Sequence, residues 1–90
     1  MILEQVATRL NTTPAQLERD SLQLYLERKL RLVESELFTL AHRYGVRTVA
    51  ELDQAVQAGR FHEPEAFDDY FRFDYLEDQR HILLDMVGQL

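Results

Sequence analysis

Ninety residues make a single small domain, one that buries only about 60–65% of its unfolded surface and therefore gains from a partner. The absence of cysteine excludes disulfides, thiol catalysis and thiolate metal sites, and no apolar run approaches the ~18 residues of a membrane span. The net charge of −6 is uneven, with seven basic against six acidic residues in 1–47 and three against ten in 48–90, an acidic half that repels phosphates and attracts basic partners.

The opening MILEQVATRL lacks the basic start of a secretory signal, so a soluble, cytoplasmic protein is expected. Ile2, Leu3, Val6, Ala7 and Leu10 recur at helical spacing and predict a first helix over about Ile2–Leu10. Asn11 and Thr12 form the turn. Thr13 is then suited to cap a second helix, with Pro14 at its first position and Gln16 placed to complete a capping box.

Nothing breaks this second helix before Gly45, so it is expected from Pro14 to about Tyr44, some 45 Å in length. Leu26, Leu30, Val33, Leu37, Leu40 and Tyr44 follow one another at intervals of 4, 3, 4, 3 and 4, which is a heptad seam. A helix of this length outruns the rest of so short a chain. The seam therefore predicts a dimer interface at these six residues, filled by a second copy's helix. The basic residues Arg28, Lys29 and Arg31 lie among Glu27, Glu34 and Glu36 and are expected to pair with them along the exposed helix.

Thr48 and Glu51 mark a second capping box at the start of a third helix, with Val49, Leu52 and Val56 as its apolar stripe and Gly59 as its end. Pro64 opens a fourth helix running from about Glu65 to Gln89. Strand-like alternation is missing, and the fold class is all-α. Residues 1–47 are a helical hairpin with the long dimerising helix, and 48–90 an acidic partner-binding region of the same domain.

The stretch FHEPEAFDDYFRFDYLED, Phe61 to Asp78, holds seven acidic residues and six of the nine aromatics. Phe67, Tyr70, Phe71 and Tyr75 share one helical face, while Phe73 lies off it and is expected as an exposed anchor or a dimer contact. Acidic residues around aromatic anchors suit a basic partner, since the rings supply binding energy and the charges steer. The candidate partner-binding residues are Phe61, Asp68, Asp69, Phe73, Asp74, Glu77 and Asp78. The alternative is that the aromatic stripe is core and the carboxylates a solvated face.

The same acids could pair as catalytic carboxylates or hold a divalent ion. No Gly-rich loop or nucleophile constellation accompanies them, so no enzyme, cofactor or metal is expected. The run His62-Glu63-x-Glu65 reads as a solvated loop more readily than as a metal site.

Two resemblances bear on function. Val6-Ala7-Thr8-Arg9-Leu10, then Thr13, Leu17, Arg19, Ser21, Leu22, Tyr25 and Leu26, resemble the helical hairpin of ribbon–helix–helix proteins, which dimerise through both helices and read DNA with a preceding strand. Only Met1 precedes the first helix here, so DNA reading is not expected. Arg43-Tyr44-Gly45, Thr48-Val49-Ala50-Glu51-Leu52, Gly59 and the acidic-aromatic DDYFRFDYLED resemble small prokaryotic antitoxins. That resemblance implies a homodimer whose acidic half neutralises a basic, RNA-cleaving toxin. Two other readings stay open: a transcriptional regulator of ribbon–helix–helix descent that binds DNA through another surface, and a structural oligomeric adaptor.

Overall fold

A computed structural model of the chain describes residues 2–61 and 64–90. Its elements are all helical: α1 (Ile2–Arg9), α2 (Pro14–Tyr44), α3 (Val49–Gln57) and α4 (Pro64–Gln89). None is long and apolar enough to cross a membrane.

The helix ends follow from local chemistry. Thr13 sits in extended backbone and its hydroxyl accepts from the Gln16 N–H, capping α2 above Pro14. Gln16 does not return the bond as expected, because its amide donates to Asp20 one turn on. At the start of α3 the Thr48 hydroxyl accepts from the Glu51 N–H, and the Glu51 carboxylate reaches past Thr48 to the N–H of Arg47. Three helices close in the same way. A residue in the left-handed region follows the last turn, Asn11 at φ 57°, Gly45 at φ 64° and Gly59 at φ 78°. The next N–H then bonds back five residues: Thr12 to Ala7, Val46 to Ala41, Arg60 to Ala55.

α2 is a spine. α1 folds back on its N-terminal end, where Ala7 is fully buried. α4 runs antiparallel along the rest, as the cross-links Arg43–Asp69, Glu36–Arg72 and Glu34–Arg80 show. α3 packs against α4 at the far end. The molecule measures 60 × 20 × 18 Å, with a radius of gyration of 18.9 Å where a compact chain of this length has about 12 Å.

The core lies at the α3 end, where Leu40, Tyr44, Leu52, Ala66, Phe73 and Leu76 form one buried cluster, with Val33 and Leu37 packed against it. This corrects the reading of the heptad seam as a dimer interface. Leu40 and Tyr44 are buried, and Leu26, Leu30, Val33 and Leu37 are half-buried, within a single chain. The partner helix that the seam requires is α4 of the same molecule. Its matching row is Ala66, Asp69, Phe73, Leu76, Arg80, Leu83 and Val87, again spaced 3 and 4. Glu34 and Glu36 likewise do not pair along α2 with Arg28, Lys29 or Arg31. They reach across to Arg80 and Arg72.

Candidate protein-binding surface

The seven sequence-derived partner residues separate into two groups. Phe73 is only 1% exposed and stands at the centre of the core, so it is neither an exposed anchor nor a dimer contact. Phe61 is half-buried, its ring edge-on to Tyr44 at 5.0 Å and capped by the Arg60 guanidinium at 5.5 Å. Asp69 accepts from both the Tyr44 hydroxyl, at 2.5 Å, and Arg43, at 2.7 Å. Glu77 accepts from the N–H of Val49, 2.9 Å away, holding the first turn of α3 against α4. These four residues serve the fold.

Asp68, Asp74 and Asp78 are exposed. They flank a second apolar row of α4, Phe67, Phe71 and Tyr75, which advances only 40° per step at 100° per residue and lies across the helix from Ala66, Phe73 and Leu76. Its rings are 50%, 67% and 52% exposed. The ring of Tyr70 meets Phe71 edge-on at 5.4 Å, and Arg72 lies over Tyr75 at 5.4 Å while its fork grips Glu36 through two hydrogen bonds. The bond to Arg72 holds the Glu36 carboxyl below its ordinary range.

The aromatic stripe of the sequence reading is therefore real except for Tyr70, which packs against the core. It faces outward, contrary to the core alternative. Phe67, Phe71 and Tyr75 are exposed large aromatics that the candidate partner-binding residues of the sequence did not include, and their four-residue spacing was the available signal.

A second concavity lies on the flank marked by the Glu34–Arg80 pair, an open groove of about 900 Å³ floored by Leu37, Phe38, Ala41, Val46 and Phe73. His42, Arg47 and His81 stand at its rim. Its two carboxylates, Glu34 and Glu77, are engaged by Arg80 and by the Val49 N–H. Phe38 stacks on His42 with 6.2 Å between ring centres. The groove offers apolar contact area and no arranged acid–base pair. Among the described residues no group of three His, Asp or Glu is placed to hold a metal ion, and His62 and Glu63 lie outside them.

No curated protein and no solved structure matches the chain. One protein-family model matches residues 1–90, and the chain thus belongs to the Uncharacterized protein MJ0235 family.

Proposed function

We propose that this protein is an antitoxin-like binding protein whose α4 presents an acidic, aromatic outer face to a basic protein, the RNA-cleaving toxin of the antitoxin resemblance. The observation that carries the reading is the exposure of Phe67, Phe71 and Tyr75 on the side of α4 turned away from its own core, with Asp68, Asp74 and Asp78 beside them. Large aromatics cost free energy when left in water, and three in a row on one helix form the centre of a protein interface. The carboxylates around them exclude acidic partners and draw basic ones. Phe73, Asp69 and Glu77 are replaced in this reading by the outward-facing residues.

The test starts from the neighbouring genes: a small basic protein encoded there is expected, and its expression alone is expected to arrest growth of a host. Co-expression of this chain is expected to restore growth and to yield a stable complex, and Phe71→Asp is expected to abolish both. Rescue that survives Phe71→Asp combined with Asn at Asp68, Asp74 and Asp78 would overturn the assignment of this face. Absence of any complex would overturn the function.

A further inference from the structure

The Glu34–Arg80 pair divides the molecule into two unlike halves. Residues 34–80 carry five basic and eleven acidic side chains, the whole net charge of −6, whereas 1–33 with 81–90 carry five of each and are neutral. Burial is divided in the same place. Among the described residues, only Ala7 of the buried core belongs to the neutral half, yet eleven of the fifteen exposed large hydrophobics are there.

Five of them gather on one flank of the hairpin. The two-pronged bond between Glu36 and Arg72 fixes which flank of α2 faces which flank of α4. Stepping from Glu36 toward the neutral end by 4 and 3 residues gives Leu32, Lys29, Tyr25 and Leu22. Stepping from Arg72 by 3 and 4 gives Tyr75, Gln79, Ile82 and Met86. The two rows line one flank, and in the neutral half Leu22, Tyr25, Leu32, Ile82 and Met86 are all exposed on it. The opposite flank of α2, below Glu34, shows Arg31, Glu27 and Leu24 at the same alternation, one exposed leucine against the three apolar side chains of the first flank.

We propose that this flank is the interface of a homodimer, in which the neutral halves of two copies pair antiparallel into a four-helix bundle. Two adjacent apolar rows on an antiparallel helix pair are what such a bundle buries, and a two-fold axis makes the surface its own complement. Charge selects a second copy as the occupant. The acidic halves repel one another, and in the antiparallel arrangement they project to opposite poles, while the neutral halves meet without repulsion. A basic partner gains nothing from a neutral, largely aliphatic surface. The inference does not rest on the partner reading of outer α4, whose aromatic row lies in the acidic half and meets this flank at Tyr75.

Sedimentation velocity of the full chain is expected to show a dimer at micromolar concentration. Leu32→Asp and Met86→Asp alter side chains exposed in the single chain, so helicity should persist while the dimer dissociation constant rises roughly 30-fold or more. Leu24→Asp changes an equally exposed leucine that lies off both rows and should leave the dimer intact. A monomeric wild type, or equal loss of the dimer in Leu24→Asp, overturns the proposal. Should the aspartate variants unfold, spin labels decide, because the chain has no native cysteine. A label at Arg28→Cys should give a short inter-copy distance and one at Gln54→Cys a long one, and the reverse order also overturns it.

Discussion

Tyr44 shows how one residue joins two helices. Burial of its ring, followed by the hydrogen bond to Asp69, pushes the phenol up to about 12. The folded state thus keeps a proton that the unfolded chain releases near pH 10, so the contribution is complete below about pH 10 and is lost as pH rises toward 12. In an ultraviolet phenolate titration one of the four tyrosines should ionise last and together with unfolding, and Tyr44→Phe should remove that late step. The same variant leaves Asp69 with Arg43 alone and should cost about 1 kcal/mol in denaturant unfolding. Gly45 has a different kind of necessity. A Cβ there would meet nothing within 4 Å, so only its left-handed φ of 64° resists substitution. Gly45→Ala should destabilise by about 1–2 kcal/mol and Gly45→Asn by less, a difference that thermal melts can read.

The elements were largely legible before the fold was known, because caps and stops are local. Thr13, Pro14, Gly45, Thr48 and Pro64 placed the helix ends to within a residue or two. The facing of α4 was not legible. Its inward row contains Asp69 and Arg80, which interrupt the apolar pattern, while Phe67, Phe71 and Tyr75 make a second apolar row on the opposite side. A helix with two apolar faces gives periodicity no single direction to report. Nor does a heptad seam say whose helix fills it, and here the chain fills its own. Phe73→Ala should therefore lower stability by about 3–5 kcal/mol rather than weaken a partner contact. Glu77 makes the same point for charge. Since it caps α3 from α4, Glu77→Ala should cost about 1–2 kcal/mol and leave association rates with a basic partner unchanged. Asn at Asp68, Asp74 and Asp78 should instead slow association and flatten its salt dependence, while Phe71→Ala should speed dissociation by roughly 30-fold. Stopped-flow binding at low and high salt separates these outcomes.

At the scale of the whole molecule, stability and charge are both graded along the 60 Å axis. Among the described residues, seven of the eight buried hydrophobics crowd into the α3 end, so amides near Leu40, Leu52, Phe73 and Leu76 should open only with global unfolding. At the other end α1 is eight residues long and rests on α2 through Ala7, with Ile2 and Leu10 in solvent. Eight residues cannot hold a helix in water unaided, since nucleation is costly and few turns repay it. Hydrogen exchange of the dilute chain should therefore show protection falling steadily from the α3 end toward α1. The exposed rows at Leu22–Leu32 and Ile82–Met86 add a condition to that gradient. If a second copy covers them, protection of the neighbouring amides of α2 and the last turns of α4 should rise with protein concentration, by mass action, while the amides around Phe73 stay unchanged. A gradient that is the same at all concentrations would leave those rows in water, and a uniform protection along α2 would contradict the one-sided core itself.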